Sequence, residues 1–131
     1  MATSARRRIP APEPSPDTTP FWDAAAKGTL MLKHCRACGQ AHYYPRPLCP
    51  MCFSDATEWR PAAGTGTIYS YSVMRRAEVP YAIAYVTLEE GPTMLTNIVD
   101  GDLDAIRIGQ RVRVRFVPTD GGPPVPMFAP A

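Results

Sequence analysis

Two stretches decide how this chain is read, Cys35-Arg36-Ala37-Cys38-Gly39 and Cys49-Pro50-Met51-Cys52, with ten residues between Cys38 and Cys49. Each places two thiols three positions apart, so one tight turn points both sulfurs at a single ion. Two such turns complete a tetrahedral four-sulfur set, with metal–sulfur distances near about 2.3 Å. Gly39 permits a positive φ after the first pair, and Pro50 stiffens the second. The spacing predicts a structural Zn2+ held by Cys35, Cys38, Cys49 and Cys52. Iron in a rubredoxin-like four-sulfur site stays open because the spacer is short, and a pair of disulfides is the other alternative. Disulfide frameworks go with secretion, yet Arg6-Arg7-Arg8 is followed by Ile9-Pro10-Ala11-Pro12 rather than by the apolar run of a signal peptide. A thioredoxin-type redox pair fits poorly, since neither pair lies between a strand and a long helix. His34 and His42 flank the first pair and read as supporting or surface residues.

Working outward, Leu30 to His34 runs into Cys35 and Thr57 to Arg60 leaves the last cysteine, which predicts two short strands bracketing the metal segment. Upstream, Thr19 reads as an N-cap with Pro20 at the first helical position. Lys27-Gly28 then ends a two-turn helix. A helix this short is marginal alone, so Phe21 and Trp22 must pack on something: this chain's own core, or a partner interface.

Downstream of Gly64-Thr65-Gly66, read as a linker-like turn, the pattern becomes that of a barrel. Thr67 to Met74 alternates, Tyr81 to Leu88 is small or branched on both faces, and Glu89-Glu90-Gly91-Pro92 turns into Thr93 to Val99. A loop with one helical turn over 100–106 precedes Gln110 to Val117, where Val112, Val114 and Phe116 alternate with Arg111, Arg113 and Arg115. Val125 to Phe128 reads as an edge piece, where Pro126 is permitted. Three strands, a helical turn, a fourth strand and a fifth piece make a five-stranded Greek-key OB barrel, with an SH3-like barrel as the alternative. The fold class is thus mainly β: a short N-terminal helix, a rubredoxin-like zinc ribbon and a C-terminal OB-fold barrel. The expected division is a flexible Pro/Arg-rich arm over 1–17, helix and ribbon over 18–62, and the barrel over 63–131.

The chain has 131 residues, 16 of them proline and 9 glycine, which suits one modest, turn-rich core and excludes a multidomain machine. A net charge of +2 offers no polyanion-coating surface. No apolar run approaches the roughly 20 residues of a membrane span, so a soluble, cytoplasmic protein is expected. With four cysteines committed to metal, no thiol nucleophile remains, and neither histidine sits beside an evident hydroxyl partner. Arg75 and Arg76, with the Arg111, Arg113 and Arg115 face, offer phosphate contacts but read by default as solvated strand surface. Tyr69, Tyr71, Tyr81 and Tyr85 read as packing residues before base-stacking ones.

Taken in order, Pro20-Phe21-Trp22, Cys35-x-x-Cys38-Gly39, Pro45-Arg46-Pro47-Leu48-Cys49-Pro50-Met51-Cys52, Gly66-Thr67-Ile68-Tyr69-Ser70-Tyr71, Glu90-Gly91-Pro92 and Ile108-Gly109-Gln110-Arg111-Val112 carry a resemblance over about Thr18 to Phe128. The sequence resembles a family of small proteins, first catalogued as a domain of unknown function, that join a helix, a rubredoxin-like zinc ribbon and an OB-fold. The resemblance implies a non-catalytic, acyl-CoA-binding accessory subunit in a hetero-oligomer with a thiolase-like enzyme, whose own residues make or break the carbon–carbon bond. It implies a CoA thioester as ligand of the complex, with Arg46, Arg75 or Arg76 meeting a phosphate and Phe21 and Trp22 as partner-interface candidates. Two other readings are an OB-fold nucleic-acid binder, which the charge disfavours, and a rubredoxin-like electron carrier, which requires a coloured iron protein.

Overall fold

The computed structural model describes residues 7–131. Its elements run α1 (Thr19–Ala26), β1 (Met31–Cys35), β2 (Ala41–His42), β3 (Thr57–Pro61), β4 (Thr65–Met74), β5 (Tyr81–Leu88), β6 (Thr93–Ile98), a 3-10 turn (Leu103–Ala105), β7 (Arg111–Val117) and β8 (Val125–Pro130). The first three strands form a small antiparallel sheet in the order β2-β1-β3, and the other five close into a barrel in the order β4-β5-β6-β8-β7. That order, with the helical turn between its third and fourth strands, is the OB arrangement.

Helix α1 begins one residue earlier than the sequence suggests: Thr18 is the N-cap, Thr19 the first helical residue, and the Thr18 carbonyl accepts the Trp22 N–H at 3.2 Å. The Thr18 side chain makes no cap and bonds back to Ser15 instead. At the other end the Thr29 N–H reaches the Ala24 carbonyl at 3.0 Å across Gly28, whose φ of +84° only glycine adopts without cost. The helix lies on the core. Phe21 (1 % exposed) and Trp22 (8 %) join Leu30 and Leu32 of the ribbon side and Ile68, Val86, Val112 and Phe128 of the barrel in one continuous apolar cluster. Of the two places expected for Phe21 and Trp22, the pair occupies this chain's own core, and a two-turn helix holds its position by that burial.

The barrel departs from the linear reading in three places. Thr65 and Gly66 are the first residues of β4, not a linker; a Cβ on Gly66 would lie 2.6 Å from the Thr87 carbonyl oxygen, so only glycine lets β4 cross β5 this closely. A register shift between Ile68 and Ser70 leaves Tyr69 unpaired and 68 % exposed, because a bulge places one extra residue on one strand and breaks the alternation. β8 is no free edge: it pairs antiparallel with β7 along its length and parallel with β6 at Ile98 and Phe128, and so closes the barrel. Pro126 lacks an N–H, but its carbonyl accepts the Thr96 hydroxyl at 3.1 Å.

Of the arm expected over 1–17, residues 1–6 lie outside the described residues. Residues 7–11 run against the barrel instead of standing free. Arg8 pairs with Asp120 at 3.0 Å, the Asp120 N–H donates to the Ile9 carbonyl at 2.9 Å, and Pro10 bridges to Asp120. A charged pair and a backbone hydrogen bond supply what the segment's composition, poor in apolar residues, does not. Among the described residues no helix is long and apolar enough to cross a membrane.

Candidate metal centre and surrounding surface

The four cysteine sulfurs lie within 4.8 Å of one another, with Cys35 Sγ 3.6 Å from Cys52 Sγ and Cys38 Sγ 3.6 Å from Cys49 Sγ. Four thiolates at about 2.3 Å from one ion stand about 3.8 Å apart in a regular tetrahedron, so the observed set fits a single tetrahedral cation. All four are free thiols, and no pair is bonded as a disulfide.

Each half is built the same way. In the first, the Gly39 N–H donates to the Cys35 carbonyl at 2.8 Å, the Cys35 N–H to the Gln40 carbonyl at 2.9 Å, and the Cys38 N–H to the Cys35 sulfur at 3.5 Å. In the second, the Phe53 N–H donates to the Cys49 carbonyl at 2.8 Å, the Cys49 N–H to the Ser54 carbonyl at 2.9 Å, and the Met51 N–H to the Cys49 sulfur at 3.4 Å. Phe53 thus occupies the position of Gly39, and both have a positive φ, +64° and +78°. Gly39 is recognisable in the sequence as a positive-φ residue and Phe53 is not by residue type; its equal offset from the preceding cysteine pair is the signal that marks it.

A left-handed residue with a side chain costs about 1–2 kcal/mol, more than the roughly 0.5–1 kcal/mol of chain entropy that glycine adds to the unfolded state. Phe53→Gly is accordingly expected to raise stability by about 0.5–1 kcal/mol and Gly39→Ala to lower it by about 1 kcal/mol. Urea unfolding at fixed zinc saturation measures both, and the two variants moving together would break the equivalence of the two turns.

The thiols do not titrate alike. The Cys38 N–H, outweighing burial, draws the Cys35 thiol down from 9.0 to about 7. At Cys52 the Ser54 N–H pulls downward, but the sulfurs of Cys35, Cys38 and Cys49 together with burial outweigh it and push the thiol up to about 12. Cys38 is also raised: the Gln40 N–H lowers it less than burial and its sulfur neighbours raise it. Four like charges this close cannot coexist unaided, and a divalent cation at their centre removes that obstacle. Of the two histidines, His42 is buried with Nε2 accepting the Arg46 N–H at 3.3 Å; burial holds it below the ordinary histidine value, hence neutral.

The arginines proposed for phosphate contact come from separate elements. Arg46 sits on the ribbon loop after β2, while Arg75 and Arg76 follow the far end of β4, a ten-residue strand that spans up to about 33 Å from the ribbon junction. Arg75 is already engaged by Asp104 at 2.8 Å. Arg111 forks onto Glu89 at 2.6 and 3.3 Å, and Arg115 meets Asp100 at 2.7 Å. A basic track for nucleic acid is therefore interrupted by carboxylates along its length. The tyrosines expected as packing residues prove more exposed: Tyr71, Tyr85 and Leu95 (56 % exposed) border a shallow, mostly apolar groove of about 150 Å3 with Ile83 on the outside of β4, β5 and β6. The linear pattern did not reveal this groove, because its members come from three strands.

A four-sulfur knuckle pair on a three-stranded ribbon, sharing one core with a closed five-stranded barrel, defines a zinc-ribbon protein of the OB type. The comparisons with known proteins agree. Residues 22–58 match the ChsH2 rubredoxin-like zinc ribbon domain, and residues 59–117 match the ChsH2 C-terminal OB-fold domain. A DUF35 domain-containing scaffold protein of Methanothermobacter thermautotrophicus is 37% identical over 89 residues, 63% of this chain and 67% of that protein. A probable enoyl-CoA hydratase alpha subunit of Thermomonospora curvata is 35% identical over 127 residues, 93% of this chain but 40% of the relative, so this chain spans about two fifths of that protein's length. A solved chain of an Ltp2-ChsH2 (DUF35) aldolase superposes with a TM-score of 0.78 at 35% identity, covering 91% of this chain and 98% of that one. The chain belongs to the DUF35 family, with the zinc ribbon and OB-fold of its ChsH2 members.

Proposed function

We propose that this protein is a non-catalytic accessory subunit of a thiolase-superfamily enzyme acting on a CoA thioester in the cytoplasm. The observation that carries the reading is the likeness, over nearly the whole length of both chains, to the DUF35 component of an aldolase. The chain's chemistry supports it: all four thiols face one another, and a closed four-sulfur shell leaves no position for water or substrate. Cys35, Cys38, Cys49 and Cys52 hold Zn2+, which supplies folding energy to the ribbon and takes no part in bond making. Exposed Tyr71, Tyr85 and Leu95 offer aromatic and apolar surface of the kind enriched where protein partners meet. Of the three candidate arginines, Arg46 and Arg76 are exposed and, among the described residues, make no ion pair, so they remain for the CoA phosphates.

Co-expression with a thiolase-like enzyme tests this. The two are expected to co-purify as a hetero-oligomer, and Tyr85→Asp with Leu95→Asp is expected to weaken the association at least 100-fold, or about 2.7 kcal/mol, without changing the melting temperature of the free subunit. A partner that is soluble, fully active and unassociated in the presence of this chain would defeat the reading.

A further inference from the structure

A cavity of about 440 Å3 opens between the N-terminal segment and the barrel, within the range of about 300–1,000 Å3 common to small-ligand pockets. Its apolar lining includes Ile98, Val99, Leu103 and Met127. Two guanidinium groups, of Arg7 and Arg115, line it together with a single carboxylate, that of Asp100, so the lining carries one net positive charge. Arg115 meets Asp100 through Nη1 alone, at 2.7 Å. A guanidinium has five N–H donors, which leaves the other nitrogens of Arg115 for an incoming acceptor. The guanidinium of Arg7 lies 3.9 Å from the centre of the Tyr81 ring, and its Nη2 donates to Asn97 Oδ1.

Arg7 is delivered to this place by a seated segment. Behind it, Arg8 pairs with Asp120, the Ile9 carbonyl accepts the Asp120 N–H, and Ala11 lies so close to Gly122 that a Cβ there would come within 2.5 Å of the Ala11 Cβ. Neither the ribbon nor the β4–β6 groove needs these contacts.

We propose that the cavity binds a small organic monoanion, a carboxylate on an apolar or aromatic body. Arg7 and Arg115 take the carboxylate, and the surface of Ile98, Val99 and Met127 takes the body. The charge decides the class: one carboxylate neutralises the single net positive charge and accepts forked hydrogen bonds from a guanidinium. A polyphosphate carries more charge than the lining compensates, and a neutral apolar molecule offers no acceptor to the guanidinium N–H groups that Asp100 and Asn97 leave free. This inference stands apart from the accessory-subunit reading, since it requires neither a partner enzyme nor CoA.

The test is a titration of the zinc-loaded full chain, followed by 15N-resolved NMR, with 3-phenylpropanoate, the neutral amide 3-phenylpropanamide and inorganic phosphate. The carboxylate is expected to produce saturable shifts at the amides of Tyr81, Asn97, Val99 and Arg115, with the amide and phosphate each binding at least 10-fold more weakly. Arg7→Met and Arg115→Met are each expected to weaken the carboxylate at least 10-fold, and Gly122→Val to act in the same direction by unseating Ala11. If Arg115→Met fails to fold, Arg7→Met decides, because its side chain lies outside the barrel core. Equal binding of the amide or of phosphate, shifts confined to other residues, the absence of saturable shifts, or unchanged affinity in Arg7→Met would each overturn the proposal. The partner pull-down reads none of these quantities, so either idea survives the failure of the other.

Discussion

Cys38→Ser is expected to release the metal and, with it, the fold of the ribbon. Structural zinc contributes on the order of 10–16 kcal/mol in isolated fingers, as large as the whole stability of an ordinary domain, about 5–15 kcal/mol. The ribbon has little else: β2 is two residues long, and among the described residues the connection from His42 to Thr57 contains no strand. Because Leu30 and Leu32 share one cluster with Phe21 and the barrel, loss of the ribbon strips cover from the barrel core as well. The variant should carry no zinc by elemental analysis and appear insoluble or readily proteolysed. A colourless wild type holding one zinc per chain removes the iron-carrier reading, and a stable, folded Cys38→Ser would show that the metal is not structural.

Acid should act in the same sense. Metal binding requires thiolates, so protons compete with zinc. In the metal-free chain the Cys35 value of about 7 lies below its unfolded 9.0; its contribution to stability is therefore full above pH 9 and lost as the pH falls through 7. The raised Cys52 has the opposite sign: it favours the fold below pH 9 while protonated, and that contribution is lost as the pH rises through about 12. A cation at the centre stabilises all four thiolates, so zinc release on acidification is expected below pH 7, monitored with a chromophoric chelator.

Phe21→Ala is the second large effect. The ring is fully buried, packs edge-to-face on Trp22 at 4.8 Å between centroids, and lies 5.9 Å from both Tyr43 and Tyr44. Truncating such a residue costs about 3–5 kcal/mol through lost burial and the remaining cavity. The expected result is a lower urea midpoint and a loosened α1, which Trp22 and Ala25 alone would then hold on the core. The same variant separates two roles for the aromatic pair. A partner contact predicts unchanged stability with weakened association, whereas a core residue predicts lost stability in the isolated subunit.

These two experiments also mark where linear reading works. The cysteine pairs were legible because a tight turn is local: ligand spacing and the flanking Gly39 are written within five residues. The strands of the barrel were legible through the period-two pattern of Val112, Val114 and Phe116 against three arginines, which one buried face imposes. The role of Phe21 and Trp22 was not legible, since an aromatic pair on a short helix looks the same whether it faces its own core or another protein. Arg46, Arg75 and Arg76 had the right charge for phosphate, but only the fold shows that β4 separates the first from the others and that Asp104 engages Arg75.

By itself, then, the order of amino acids determined the metal ligands, the ribbon-then-barrel succession and the absence of a spare thiol, because each depends on residues close together along the chain. Tertiary structure alone decided that β8 closes the barrel between β6 and β7, that the bulge throws Tyr69 outward, that Phe53 mirrors Gly39, and that Arg7 comes to rest on Tyr81. Each of these joins residues or strands whose meeting depends on how the closed sheet curls. Closure is a collective property: the position of any one strand is set by the twist and register of all the others.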